Sequence, residues 1–360
     1  MLNIRGVILL PFSILYGLVT FFRNILFDIG IFREKKHDVC VISVGNLSMG
    51  GTGKTPHVEY LVSLLSKKYK VAILSRGYGR KTRGFILADK NADANTIGDE
   101  PLQYYHKFED VLVAVDGRRN RGVKKLLEIE KDLKVIILDD AYQHRWIKPD
   151  LSIMLTDFHD MYHNDYIVPS GRLREFRHGS KRADIVVITK TPVVLSPITR
   201  RRFIDELKLQ PYQKLLFSKI EYDGFVRYED DQYLNHIPQV SRILMFTGIA
   251  NSYPLQDYLK RHCQELIVLS FPDHHSFLPK NIHQIKSVYD DIFTSKKMII
   301  TTEKDAQRLH VCKNNEELQK LPIYYVPIHV AFHQNDEKEL SDTLDNLFRE
   351  VRVNKKTKNI

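Results

Sequence analysis

Val39-Cys-Val-Ile-Ser-Val-Gly-Asn-Leu-Ser-Met-Gly-Gly-Thr-Gly-Lys-Thr55 is an apolar run, a glycine-rich turn and the opening of a helix, in that order. Pro56 falls in the first helical turn, and Val58, Leu61, Val62 and Leu65 recur at helical spacing on one face. Polyphosphate needs converging backbone N–H groups with no Cβ in the way, which Gly50, Gly51 and Gly53 permit, and a helix N-terminus adds its positive end. Ser48, Met49, Gly50, Gly51, Thr52, Gly53, Lys54 and Thr55 are therefore the expected ATP cradle, with Lys54 reaching the β and γ phosphates and Thr55 ligating Mg2+. Ser48 stands where the usual pattern has its first glycine. The bland alternative is a tight strand-to-helix turn with an exposed lysine.

Outward from this segment, short apolar runs at 71–74, 111–115, 135–138, 151–155 and 185–188 alternate with helical patterns, which predicts a parallel α/β sheet covered on both faces. Asp223-Gly224, flanked by apolar runs, reads as a hairpin and as the linker between units. Beyond it, runs at 243–246, 266–269, 298–301 and 323–326 announce a second, smaller α/β unit, with Ile282, Ile285, Val288, Tyr289 and Ile292 along one helix face. The expected fold is thus α/β: a P-loop NTPase-like parallel sheet and a smaller α/β unit, joined by a β-hairpin linker, with an N-terminal membrane-associated helix. The boundaries read as 1–34 for the helix region, 35–214 for the P-loop unit, 215–236 for the linker, 237–345 for the second unit and 346–360 for a basic, solvated tail.

With 360 residues, 43% of them hydrophobic, the chain can bury substantial cores, which excludes a disordered or fibrous class. A net charge of +10 suits nucleic acid, an anionic membrane or a phosphorylated substrate, and charge alone does not rank them. Nucleic acid lacks support, since the basic runs have no interleaved aromatics and no recognised module. Cys40, Cys263 and Cys312 are too scattered for a disulfide framework or a zinc site. Residues 6–22 hold no charge, and Arg33, Lys35 and Lys36 follow close behind, a pattern that favours the membrane interface. Pro11, Ser13, Gly17 and Thr20 weaken a spanning helix; as a helix, Ser13, Gly17, Thr20 and Asn24 form a thin polar stripe on an apolar surface. A buried core helix and a signal peptide are the alternatives, the latter without a small-residue cleavage site.

Val135-Ile-Ile-Leu-Asp-Asp delivers Asp139 and Asp140 at a strand end, where they can hold Mg2+ or simply favour a turn. Gly98-Asp-Glu-Pro offers Asp99 as a base, or as a helix start ahead of Pro101. Phe271-Pro-Asp-His-His-Ser-Phe offers Asp273 and His274 on a loop, a carboxylate-held imidazole suited to proton transfer; metal binding or a structural pair stays open. The arginine runs after Pro169 and Gly117 suit phosphate oxygens or solvent equally.

Together these segments resemble the tetraacyldisaccharide 4'-kinase family, which phosphorylates the disaccharide precursor of lipid A. The resemblance rests on the P-loop, Ser75-Arg-Gly-Tyr-Gly, Gly98-Asp-Glu-Pro, Leu138-Asp-Asp-Ala-Tyr-Gln-His-Arg, Arg172-Leu-Arg-Glu, Phe271-Pro-Asp-His-His and Thr302-Glu-Lys-Asp-Ala, in the family's order. It implies two α/β domains joined by a strand pair, ATP and Mg2+ as cofactors, and Asp99 as catalytic base supported across a cleft by His274. It further implies Arg76, Glu100, His144 and Arg174 at the acceptor, and a lipid disaccharide as substrate. The implied location is the cytoplasmic face of the inner membrane, peripheral or monotopic; a single chain is the expected working unit. Ala141, Tyr142 and Arg172 depart from the family's usual Gly, Phe and Pro.

Two rivals remain from sequence. A nucleotide-driven switch needs only the P-loop, Asp139 and a partner surface, and leaves the Asp99 and His274 loops without a purpose. A kinase acting on a soluble nucleoside or cofactor gives the apolar N-terminus none.

Overall fold

A computed structural model describes residues 4–235, 240–249, 251–273, 275–309, 312 and 315–358. The chain forms two compact units, residues 1–220 with 330–360, and residues 221–329. In order, the first contains α1 (Ile4–Ile8), α2 (Leu10–Asp28), β1 (Cys40–Asn46), α3 (Lys54–Leu65), β2 (Val71–Ser75), β3 (Ile86–Leu87), α4 (Ala94–Ile97) and α5 (Asp99–Lys107). It continues with β4 (Leu112–Val115), α6 (Arg119–Ile129), β5 (Val135–Asp139), β6 (Leu151–Asp157), β7 (Ile185–Thr189), α7 (Pro197–Leu207) and β8 (Lys214–Tyr222). The second contains β9 (Phe225–Arg227), β10 (Tyr233–Leu234), β11 (Val240–Thr247), α8 (Tyr253–Leu259), β12 (Cys263–Ser270) and α9 (Pro279–Asp290). It ends with β13 (Lys297–Thr302), α10 (Glu303–Leu309), α11 (Glu316–Gln319) and β14 (Ile323–Val326), after which β15 (Ile328–Phe332) leads into α12 (Gln334–Lys358) of the first unit.

The first unit is organised by a sheet ordered β15-β8-β7-β6-β1-β5-β2-β4-β3 among the described residues. The P-loop strand β1 lies at its centre, parallel to β5 on one side and β6 on the other. Alternation along β1 explains why apolar residues are needed on both faces: Cys40, Ile42 and Val44 enter one core with Val58 and Leu61 of α3, while Val41 enters the core on the opposite face with Val123 and Leu126 of α6. Helix α2 begins at Leu10 with Pro11 in its first turn, where a missing N–H costs nothing.

The polar stripe on α2 faces the protein. Ser13 and Gly17 are buried, and Ser13 Oγ bonds Ser170 at 2.8 Å, while Phe12, Leu15, Val19 and Phe22 are exposed. A Cβ on Gly17 would stand 2.9 Å from the Phe176 ring, so the small residue sets how closely the helix docks.

The second unit has a sheet ordered β10-β9-β14-β13-β11-β12, with parallel β12-β11-β13-β14 at its heart.

Three boundaries differ from expectation. Asp223-Gly224 is no hairpin turn: β8 belongs to the first sheet and β9 to the second, and β9 pairs instead with β10. The strand pair through which the chain leaves and re-enters the first unit is β8 with β15. The tail expected from residue 346 onward is, as far as Lys358, the continuation of α12, which seats Leu340, Leu344 and Phe348 in the β1 core. The charged residues between them concealed this four-residue apolar spacing.

Candidate active site

The loop after β1 turns through Gly50 (φ 115°) and Gly53 (φ 81°), conformations a side chain resists, and delivers the N-terminus of α3 at Lys54. Its flanks are fastened. Asn46 Nδ2 donates to Thr52 Oγ1 at 2.8 Å, Met49 N donates to Arg172 O at 2.6 Å, and Ser48 bridges Leu173. Met49, Gly50 and Gly51 remain exposed. Behind the loop, Thr189 Oγ1 donates to Thr52 O, and Lys190 donates to Gly51 O while pairing with Asp157 at 2.7 Å. Lys190 holds a left-handed φ of 56° to do so. His57 Nδ1 meets Gly53 O at 2.7 Å and Nε2 meets Ser218 Oγ at 2.9 Å. The carbonyl can only accept, so the proton sits on Nδ1; burial pushes the His57 pKa down to about 4.

β5, beside β1, brings Asp139 and Asp140 to the same edge of the sheet. Asp139 is buried and accepts from Ser75 Oγ at 3.1 Å; burial and the Asp140 charge push its pKa up to about 6, against the pull of Lys54. Asp140 adopts a left-handed φ of 46°, uncommon for a residue with a Cβ, and turns toward cations: Lys54 Nζ at 3.7 Å and Arg174 Nη1 at 2.8 Å. Thr55, Glu100 and the buried Tyr104 complete this neighbourhood, and burial with the Asp139 charge keeps the Tyr104 phenol protonated. Among the described residues no three His, Cys, Asp or Glu side chains form a metal cage. Two carboxylates and the Thr55 hydroxyl are hard oxygen donors that fit Mg2+, which keeps waters and substrate phosphates as its other ligands.

Asp99 opens α5 immediately after Gly98, with Glu100 next to it, so both acids lie in the first turn. Here the helix-start reading holds in geometry, with Gly98 at the N-cap and Asp99 as the first helical residue. His144 is drawn down to about 4 by burial and by Arg119, Arg23 and Arg76, and is therefore neutral among three guanidiniums. Arg119 itself is lowered to about 10 by burial, with Asp139 opposing.

The arginine loops are less open than their sequences suggest. Arg172 pairs with Asp160 at 2.7 Å and Asp165 at 3.2 Å, Arg182 pairs with Glu175, and Arg121 with Asp116. Arg172 N also donates to Asp165 Oδ1 at 3.3 Å, a bond the proline usual here could not make. Tyr142 uses its extra hydroxyl to donate to Gly179 O at 2.7 Å. His274 lies outside the described residues. Sequence reasoning missed His57, Lys190 and Asp157 around the P-loop; a Thr-Lys pair closing β7 was the available signal.

The model of the family described as tetraacyldisaccharide-1-P 4'-kinase matches residues 5–349. The chain belongs to the tetraacyldisaccharide 4'-kinase family. As a member it is an ATP-dependent phosphotransferase of lipid A biosynthesis. It is 45% identical over 337 residues to the tetraacyldisaccharide 4'-kinase of Flavobacterium johnsoniae, covering 93% of this chain and 96% of that one. To that of Bacteroides thetaiotaomicron it is 44% identical over 354 residues, covering 95% and 93%. The crystal structure of the "apo" form of LpxK from Aquifex aeolicus in complex with ATP superposes with a TM-score of 0.73 at 28% identity, covering 96% of this kinase and all of that chain.

Proposed function

We propose that this kinase transfers the γ-phosphoryl group of ATP to the 4'-hydroxyl of a tetraacyldisaccharide 1-phosphate lying at the cytoplasmic face of the inner membrane. The observation that carries the reading is the meeting of Lys54 with the Asp139–Asp140 pair at one sheet edge, beside the basic group of Arg23, Arg76, Arg119 and neutral His144. The first set suits a triphosphate donor, and the second suits an acceptor that already carries a phosphate. Thr55, Asp139 and Asp140 would hold Mg2+, which supplies charge neutralisation between the phosphates.

Lys54 and the α3 N-terminus stabilise charge on the transferring group, and because they are fixed before reaction they cost little reorganisation. Asp99 orients the acceptor hydroxyl and takes its proton, with His274 as its supporting group. Arg76, Glu100, His144 and Arg174 position the disaccharide. The exposed apolar face of α2 sits in the bilayer, peripherally or as a monotopic anchor, so that the acyl chains of the acceptor need not leave the membrane. One chain suffices for all of these roles.

Labelled ATP, Mg2+ and detergent-dispersed tetraacyldisaccharide 1-phosphate should place label in the lipid. ATP hydrolysis indifferent to the disaccharide, with no labelled lipid, would instead mark a nucleotide switch. Asp99→Ala should abolish transfer and leave ATP binding nearly intact; loss of ATP binding would refute its assignment as the base.

A further inference from the structure

The face of α2 that packs on the protein is joined to the nucleotide site by a continuous chain of hydrogen bonds. Asn24 Nδ2 donates to Glu175 Oε2 at 2.7 Å. The other oxygen of Glu175 accepts from Arg182 at 2.7 Å and from Gln143 Nε2 at 3.2 Å. Gln143 Nε2 also donates to Asn46 O at 2.8 Å, the last residue of β1 before the P-loop, and Gln143 Oε1 lies 3.5 Å from Arg174 Nη1. Arg174 holds Asp140, which faces Lys54. A second route is shorter: Tyr16 OH donates to Arg174 O at 3.0 Å, and Arg23 donates to Gln143 O at 3.0 Å.

Glu175 is the hub, only 2% exposed. A buried carboxylate is tolerated when its oxygens are filled, so it holds its donors in a fixed arrangement. Gln143 is then oriented from both sides, its amide nitrogen shared between Glu175 and Asn46 and its oxygen toward Arg174. Asp140 sits between two cations of different use. Arg174 draws it away from Lys54, whose ammonium the nucleotide phosphates need. A loosened Arg174 lets Asp140 close on Lys54 and compete with the incoming nucleotide.

We infer that α2 is a positioning element for the nucleotide site, acting through Asn24, Glu175 and Gln143 on Arg174 and hence on the Asp140–Lys54 pair. On the reading that the outer face of α2 lies in the bilayer, the same relay ties membrane seating to nucleotide affinity.

Asn24→Asp sets two carboxylates face to face where an amide now donates. Asn24→Asp with Glu175→Gln returns one carboxylate and one amide to the pair, with the donor direction reversed and the net charge restored. Calorimetric titration of the full-length, detergent-solubilised protein with ADP and Mg2+ reads the result without any acceptor. The single variant should weaken ADP about tenfold at a stoichiometry near one, and the double variant should return to within about threefold of the native value. An unchanged affinity with a reduced binding fraction would mean a folding defect only and would overturn the relay, as would a double variant no better than the single. Failure of the native protein to label lipid removes the acceptor reading alone, because the ADP titration still decides the relay.

Discussion

Arg174 and Asp140 form a two-pronged charge contact at the phosphate end of the P-loop: Nη1 of the arginine lies 2.8 Å from one carboxylate oxygen and 3.0 Å from the other. One guanidinium nitrogen thus serves both oxygens of an aspartate held in a left-handed turn. Arg174→Ala should weaken ATP on the order of tenfold by releasing Asp140 onto Lys54, and Arg174→Lys should recover only part of this, since a point charge on a flexible stem does not reproduce the guanidinium contact. Nucleotide titration alongside initial rates tests it; unchanged nucleotide affinity in both variants would contradict the assignment.

Lys54 is expected to act chiefly on the transferring group. Lys54→Met should lower kcat by roughly 10²–10³, the usual loss when a preorganised electrostatic donor is removed. Single-turnover rates at saturating ATP measure this directly, and a rate within a few-fold of native would place the essential charge elsewhere.

Acid should destabilise the first unit through His57. Its pKa falls from 6.5 to about 4 on folding, so below pH 6.5 the unfolded chain binds a proton that the folded chain refuses. Stability is therefore complete above about pH 6.5, declines as the pH drops toward 4, and levels off below it, a total of up to ~3 kcal/mol from this residue. His57→Gln should show a shallower loss of denaturation midpoint between pH 7 and pH 4.5 than the native protein. Parallel slopes would rule His57 out as the source.

Gly17→Leu should unseat α2. The side chain meets the Phe176 ring and Ile167 Cδ1, where even a Cβ stands 2.9 and 3.2 Å away. The cost should be about 1–3 kcal/mol, typical of overpacking a close contact. Limited proteolysis after Asp28 in detergent gives the comparison, with faster release of the N-terminal segment in the variant; equal rates would show that the contact does not hold the helix.

Much of the architecture could be read in advance because strands covered on both faces must be apolar along most of their length. The runs that became β1, β2, β5 and β7 stand out for that reason. The P-loop was equally plain, since its conformation demands glycine where glycine stands. What sequence did not show depends on contacts between distant residues. A stripe of Ser13, Gly17 and Asn24 is visible on a helical wheel, but only its partners Ser170, Phe176 and Glu175 reveal that it faces inward. Arginine runs look open until Asp160, Asp165 and Glu175 are found beside them. His57 reads as one more helical residue until Ser218 meets it from β8. At Asp223-Gly224, local turn preference lost to the sheets on either side.

The return of α12 to the first unit has a consequence for how the chain is made. Leu340, Leu344 and Phe348 close the core beneath β1, and Asp336 is buried between Arg200 and the backbone of Phe217. These residues leave the ribosome only after the whole of the second unit. The P-loop emerges well before them, so its supporting core stays unfinished until α12 follows, while residues 221–329 can condense on their own in the interval. A nascent chain arrested before α12 therefore exposes apolar surface under β1, and a stop just ahead of α12 should abolish a nucleotide site encoded some three hundred residues upstream.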